Sequence, residues 1–190
     1  EKEAFVHYLD LGLHFEAFDE FVKRLNPNTD AKGIYKHIKP GKILEKEGRI
    51  ENVLTPGQMI IVQIVKEPIS TKGSRLTAEI SLAGRNIVLL PFAEKVSVSQ
   101  KISSKEEKRR LETLVKSILP KNYGAIIRTA AEGKNAAVLD AELMSLVDKW
   151  EDSWKKLAKS KAVQLLFTEM TTETINNALT SNDLKGAIEY

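Results

Sequence analysis

Apolar residues follow two spacings along this chain, and the change between them divides it into two parts. In residues 76–82, apolar and polar residues alternate, as they do on a strand with one buried face. The β-branched run at 59–65 and the apolar run at 87–90 also predict strands. Beyond residue 100, apolar residues instead recur every three or four positions, which is the helical period. We therefore expect an α+β fold: a β-rich first part, then alternating strands and helices.

Helix and strand signals complete this outline. Ser104 and Glu107 form the capping-box pattern that opens a helix, and Pro120 closes that helix. The longest predicted helix carries an apolar stripe with Trp150 and Trp154, a spacing more typical of a buried core than of a subunit contact. Residues 28–56 predict a loop with at most short strands. The other predicted elements are helices at about 14–25, 136–159 and 171–179, and strands at 123–129 and 163–167.

Composition argues against several classes of protein. The chain has no Cys, which excludes disulfides, thiolate metal sites and a cysteine nucleophile among its 190 residues. Its histidines, His7, His14 and His37, lack the i, i+4 spacing of a metal site. No apolar run reaches the roughly 18 residues that a membrane span needs. The chain carries no Walker, G-x-S-x-G or paired-carboxylate pattern, so we expect no catalytic or metal-binding residues in it.

Positive charge is concentrated in one region. The 29 basic and 26 acidic residues give a net charge of only +3, so an anionic partner needs a local patch. Residues 101–134 contain nine Lys or Arg and four Glu, a local excess of five. A solvated helix face is the simpler interpretation of the basic residues at 105–110. Arg128 and Thr129 differ, because they stand side by side at the end of an apolar strand.

The Arg128–Thr129 pair suits an anion. A guanidinium offers forked N–H donors that match phosphate oxygens, and the Thr129 hydroxyl adds one more donor. A structural salt bridge is an equally good interpretation of Arg128 from spacing alone. In the β-rich part, Lys72 lies at the tip of a predicted hairpin and Phe5 is either a surface aromatic or a core residue. Both fit an oligonucleotide-binding (OB) barrel, which stacks bases on aromatics and holds the backbone with Lys.

Several separated motifs resemble one family. They are GQMIIVQIVKEPISTKGSRLTAEISLAGRNIVLLP (57–91), KVSVSQKI (95–102), YGAIIRTAAEGK (123–134) and DAELMSLVDKWED (140–152). In this order they resemble the RNase E/RNase G family of bacterial endoribonucleases, over nearly the whole chain from Phe5. That resemblance implies an OB-type RNA-binding domain inserted into an RNase H-like domain, followed by a sensor domain that recognises an RNA 5′-monophosphate. The segment KVSVSQKI is closer to the G-type members.

The resemblance also implies site residues. Arg128 and Thr129 match the phosphate-binding pair of the sensor, and Gly84 and Val88 match a segment whose backbone lines the same pocket. Lys72 and Phe5 match residues on the RNA-binding face of the barrel. One E-type pocket arginine falls at Gln100, so Lys101 is the candidate substitute. The family's catalytic aspartates and zinc-link cysteines have no counterpart here, and the chain opens on Glu1, so we expect part of a longer protein.

The domains implied are a truncated OB domain at 1–84 with a helical insertion, a sensor domain at 85–172, and the start of the resumed RNase H-like domain at 173–190. We expect the RNA-binding and 5′-monophosphate-sensing portion of a cytoplasmic, Mg²⁺-dependent, homo-oligomeric endoribonuclease that processes and degrades single-stranded RNA. No cofactor and no membrane are expected for the portion itself. The alternatives are a non-catalytic OB-fold RNA-binding adaptor or chaperone, and a module serving mainly assembly.

Overall fold

The computed structural model describes residues 4–39, 44–45, 47–68, 73–159 and 166. Within these ranges the chain folds into helices packed with two open sheets, which confirms the predicted α+β class. The strands are β1 (Phe5–Val6), β2 (Gln63–Lys66), β3 (Arg75–Thr77), β4 (Leu82–Ala83), β5 (Ile87–Pro91), β6 (Val96–Val98) and β7 (Tyr123–Ile127). The α-helices are α1 (Phe15–Arg24), α2 (Ala31–His37), α3 (Lys105–Ile118) and α4 (Ala136–Lys159).

The first sheet has three strands in the order β1-β3-β2. Strand β1 runs parallel to β3, and β2 runs antiparallel to it with an irregularity between Ile64 and Lys66. This open sheet is consistent with part of the expected OB barrel. The strand predicted at 59–65 begins only at Gln63, because the residues before it form no ladder.

The prediction of one strand over 76–82 was wrong. The chain bends at residues 78–79, and it passes from β3 in the first sheet to β4 in the second. The Ala78 N–H donates to the carbonyl of Asp10 at 2.8 Å, so it leaves the strand ladder. The alternation of apolar residues continues across this break because Ala78, Ile80 and Leu82 are all buried, although Ala78 and Ile80 belong to neither strand.

The second sheet has the order β4-β5-β7-β6, with β5 antiparallel to β4 and β7 and with β6 parallel to β7. Helix α3 makes the crossover between the two parallel strands. Helices α3 and α4 pack on the sheet through buried apolar residues that include Leu111, Leu143 and Trp150. The predicted bounds of α4 agree with the structure, and Ser104 caps α3 by accepting the Glu107 N–H at 3.2 Å.

The expectation of a loop at 28–56 was also wrong. That stretch contains α2 and a 3-10 turn at Ile50–Asn52. Helix α2 is short, and its stability comes from tertiary contacts: Tyr35 and Ile38 are buried, and the Tyr35 hydroxyl donates to the carbonyl of Asn122 at 2.9 Å. Contacts this distant in sequence leave no local signal.

One aromatic core joins the two parts of the chain. Phe21 of α1 and Tyr35 of α2 pack against Phe92 and Trp154, so the core crosses residue 84, the predicted domain boundary. Trp150 and Trp154 are buried in this core, as their spacing predicts. The domain division itself stays a prediction. The helix predicted at 171–179, the segment 173–190 and all of 163–167 except Leu166 lie outside the described residues.

Candidate nucleic-acid interface

Four strands of the second sheet bring the predicted phosphate-binding residues to one edge. Strands β6 and β7 are parallel and end there, β4 also ends there, and the antiparallel β5 begins there. We call residues 84–88, 99–101 and 128–129 the Arg128 edge. Gly84, Val88, Lys101, Arg128 and Thr129, which come from three separate stretches of the sequence, therefore lie at one end of the sheet.

Arg128 is exposed, and its guanidinium is only partly used. Its Nη1 donates to the carbonyl of Gly84 at 2.7 Å, and its backbone N–H donates to the carbonyl of Asn86 at 2.8 Å. No carboxylate of the described residues forms a salt bridge with it. Since a guanidinium has five N–H donors, most of them have no hydrogen-bond partner among the described residues. The structural salt bridge that spacing allowed is therefore absent from the described part of the chain.

The turn that supplies both acceptors is held by Glu142 of α4. The Glu142 carboxylate accepts the Asn86 backbone N–H at 2.8 Å, the Asn86 side-chain amide at 2.5 Å and the Ile87 N–H at 3.4 Å. Gly84 closes the turn by donating its N–H to the carbonyl of Ile87 at 2.8 Å. A side chain at Gly84 would collide with Glu142 and with that carbonyl, so only Gly fits.

The other predicted residues of the Arg128 edge are either exposed to solvent or hydrogen-bonded within the sheet. Thr129 is exposed at the start of a 3-10 turn, and its hydroxyl has no hydrogen-bond partner among the described residues. Val88 pairs with Ile126 and Ala83, so its backbone belongs to the sheet ladder. Lys101 is exposed just beyond β6, where its N–H donates to the Ser99 hydroxyl at 3.3 Å.

Glu107 fastens the first turn of α3 to the loop that follows Arg128. Its carboxylate accepts two hydrogen bonds of 2.7 Å from Arg110 and one of 2.8 Å from the Gly133 N–H. The Arg110 hydrogen bonds and then the Gly133 N–H lower the pKa of Glu107 to about 2. The capping-box pattern located Glu107 correctly, but the Glu107 side chain serves the neighbouring loop.

The two predicted barrel residues lie elsewhere. Phe5 is 51% exposed on β1, where it pairs with Arg75, so it is a surface aromatic rather than a core residue. Arg75 itself is held by Asp10 through two hydrogen bonds of 2.9 Å. Lys72 lies outside the described residues, so its placement stays a prediction. Phe5 is in the first sheet, whereas the Arg128 edge belongs to the second.

Sequence reasoning missed Asn86 and Glu142. Neither belongs to a catalytic or binding motif, and their separation of 56 positions in the sequence hides their contact. A weak signal existed: a turn-forming Gly-Arg-Asn follows β4, and Glu142 stands on the apolar side of α4 beside Leu139 and Leu143. The residues that the structure describes hold no group of three His, Asp or Glu suited to a metal ion, and none of their helices has the length and apolarity for a bilayer crossing.

The α+β fold and the exposed, partly unpaired arginine at the strand ends suit a protein that binds a phosphorylated ligand. Comparison with known proteins is more specific. The model of the ribonuclease E/G family matches residues 81–186. The chain therefore belongs to the ribonuclease E/G family, as its motifs predict.

Relatives of both named types match at similar identity. The ribonuclease E of Nostoc sp. is 37% identical over 166 residues, covering 87% of this chain and 20% of that protein. The ribonuclease G of Haemophilus influenzae is 37% identical over 164 residues, covering 85% of this chain and 28% of that protein. The ribonuclease G of Escherichia coli K12 is 37% identical over 121 residues, covering 64% of this chain and 25% of that protein. The chain thus spans between a fifth and three tenths of these relatives.

Proposed function

We propose that this chain is the RNA-binding and 5′-monophosphate-sensing portion of an RNase G-like endoribonuclease that acts in RNA processing and decay. Family membership supports the ribonuclease assignment, since the relatives are named ribonucleases. For the whole enzyme we propose hydrolysis of single-stranded RNA with Mg²⁺, homo-oligomeric assembly and a cytoplasmic location. In this proposal the portion itself binds RNA, and catalysis belongs to the rest of the enzyme.

The state of Arg128 is the observation that carries the sensing role. One of its N–H groups holds the Gly84 carbonyl at 2.7 Å, which orients the guanidinium while leaving the remaining donors available. A phosphate monoester can accept a forked pair of these donors, and the Thr129 hydroxyl lies on the adjacent residue. An RNA ending in a 5′-hydroxyl offers no such dianion.

The expected discrimination follows from the strength of these contacts. A hydrogen bond to a charged group contributes about 1.5–3 kcal/mol, which corresponds to roughly tenfold to a hundredfold tighter binding of the 5′-phosphorylated end. Because the strand ends and the Glu142-bound turn hold Arg128 in place beforehand, little ordering is required on binding. Phe5 and Lys72 are proposed to hold the single strand on the barrel face by stacking and charge.

The test compares matched RNAs that differ only in the 5′ end. We expect Arg128→Ala to remove the preference for the 5′-phosphate while most of the salt-dependent affinity remains, and Arg128→Lys to restore it partly, since Lys lacks the fork. The control is Arg24→Ala, which makes the same charge change on α1, where Arg24 is paired with Glu20. Fluorescence anisotropy gives both dissociation constants. If Arg128→Ala keeps the parent's ratio of the two constants, the sensing assignment is wrong.

A further inference from the structure

Helix α3 presents a basic stripe to solvent that the sensing role does not use. We propose that Lys105, Lys108 and Arg109, which we call the α3 stripe, form a second contact with RNA and hold the phosphate backbone beyond the terminal nucleotide. This inference rests on the proposed RNA-binding function, and it adds a track on the sensor side of the molecule. The test below separates its failure from that of the Arg128 assignment.

Helical geometry places the stripe on one face. Residues three and four positions apart are neighbours on a helix surface, so 105, 108, 109, 112 and 116 share one side of α3. Buried Leu111 and Val115 mark the side that packs on the sheet. Further along the stripe's face, Lys116 neutralises Glu112 at 2.6 Å, so the unbalanced charge lies in the first turns.

The stripe has little internal competition for an anion. No carboxylate of the described residues forms a salt bridge with Lys105, Lys108 or Arg109, and the Lys108 ammonium only donates to the Gln100 carbonyl at 3.4 Å. The carboxylate of Glu107 is already occupied by Arg110 and the Gly133 N–H. Glu106 is the remaining acidic neighbour, and it lies on the adjacent row with Thr113 and Ser117.

The stripe continues from the Arg128 edge. The Ser99 N–H donates to the carbonyl of Ile127 at 2.8 Å, so the segment leading into α3 starts beside Arg128. Arg110 also donates to the carbonyl of Lys134 at 3.0 Å, which holds the first turns of α3 against the loop after Arg128. Exposed Lys101 belongs to the Arg128 edge and precedes the first residue of the stripe, Lys105, by four positions. In this proposal an RNA bound at Arg128 by its 5′ end reaches the stripe by way of Lys101.

The chemistry of the stripe favours RNA over an acidic protein. Protein partners depend on buried aromatic or aliphatic anchors, and the stripe itself consists of Lys and Arg side chains. A phosphate backbone instead gains affinity from each neutralised phosphate through the release of counterions. The positive end of the α3 dipole adds to the same field.

The experiment compares two triple variants of equal charge. One is Lys105→Gln, Lys108→Gln and Arg109→Gln. The control set, Lys36→Gln, Lys39→Gln and Lys95→Gln, removes the same charge from exposed positions at the opposite end of the sheet: Lys95 precedes β6, and the Ile38 carbonyl beside Lys39 accepts a hydrogen bond from Asn122, which precedes β7. All six side chains are at least partly exposed, so circular dichroism should show unchanged folds.

The ligands are a 5′-phosphorylated dinucleotide and a 5′-phosphorylated single strand of about 15 nucleotides. We expect the stripe variant to bind the longer RNA roughly tenfold less tightly at low salt, with a log–log salt slope less steep by about 2, since each contact contributes about 0.7. Dinucleotide affinity and the preference for a 5′-phosphate should stay as in the parent chain.

Two results would overturn the proposal that the α3 stripe binds RNA. One is a salt slope for the stripe variant equal to that of the parent chain, and the other is an equal loss of affinity in the control set. The Arg128→Ala variant tests the sensing assignment separately, because it should lose the preference for a 5′-phosphate and keep the dependence of affinity on RNA length. The two assignments therefore fail through different measurements. A dependence on length that disappears only in the stripe variant supports the second contact.

Discussion

Glu142 holds the turn beneath Arg128, and replacing it with Ala should destabilise the chain measurably. The substitution removes the acceptor of two short hydrogen bonds from Asn86, at 2.8 and 2.5 Å, and of a longer one from Ile87. Asn86 is 4% exposed, so its donors would be left without water. Hydrogen bonds to a charged group contribute about 1.5–3 kcal/mol each, and shared partners make their sum less than additive. We expect a loss of about 3 kcal/mol in the free energy of unfolding.

Thermal unfolding measures this loss directly. For a chain of this length, 1 kcal/mol corresponds to roughly 2–4 °C, so the melting temperature should fall by roughly 6–12 °C. Glu142→Gln should lose about half as much, because the amide keeps one acceptor oxygen but turns an N–H₂ group toward the Asn86 amide. Asp140→Ala is the control, since Asp140 is an exposed carboxylate on the same helix.

The same substitution should weaken sensing. The carbonyls of Gly84 and Asn86 orient Arg128, so a loosened turn leaves its guanidinium less ordered. We expect Glu142→Ala to reduce the proposed preference for a 5′-phosphate at a temperature where the variant is still folded. If Glu142→Ala and Asp140→Ala have the same melting temperature, the hydrogen bonds to the turn contribute nothing to stability and this reasoning fails.

Two other sites give further predictions. Asn122→Ala should cost about 2–3 kcal/mol by urea denaturation, because the Asn122 amide donates to the buried carbonyls of Tyr35 at 2.7 Å and Ile38 at 2.9 Å and its φ of 65° disfavours Ala. An unchanged midpoint would contradict that estimate. Glu107 has a pKa lowered from 4.5 to about 2, so its contribution to stability is complete above pH 4.5 and is lost as the pH falls toward 2. The stability difference between the parent and Glu107→Gln should therefore shrink over that range, and a constant difference would show that Glu107 is not linked to folding.

The elements predicted well are those whose signals are local. Ser104, Glu107 and Pro120 bracket α3, and the apolar period of residues 136–159 gives the bounds of α4. Caps, proline and helical spacing act over a few residues, so they can be read without knowing the fold. The failures, α2 and the broken strand at 76–82, depend on contacts with distant parts of the chain.

The candidate site likewise has features that local sequence predicts and features that depend on distant contacts. Adjacent residues and family motifs were enough to select Arg128, Thr129, Gly84 and Val88 from the sequence. Whether Arg128 is consumed by a salt bridge depends on which carboxylates the fold brings near it, and that is a tertiary question.

The sequence by itself determined the α+β class and the helices with local caps, and it supplied the candidate residues for the proposed phosphate site. Only the tertiary structure decided that four strand ends meet at one edge and that Glu142 binds the turn beneath Arg128. The tertiary structure also decided that no carboxylate of the described residues pairs with the Arg128 guanidinium. The physical reason is the range of the interactions, because hydrogen bonds and ion pairs between residues far apart in sequence exist only once the chain has packed.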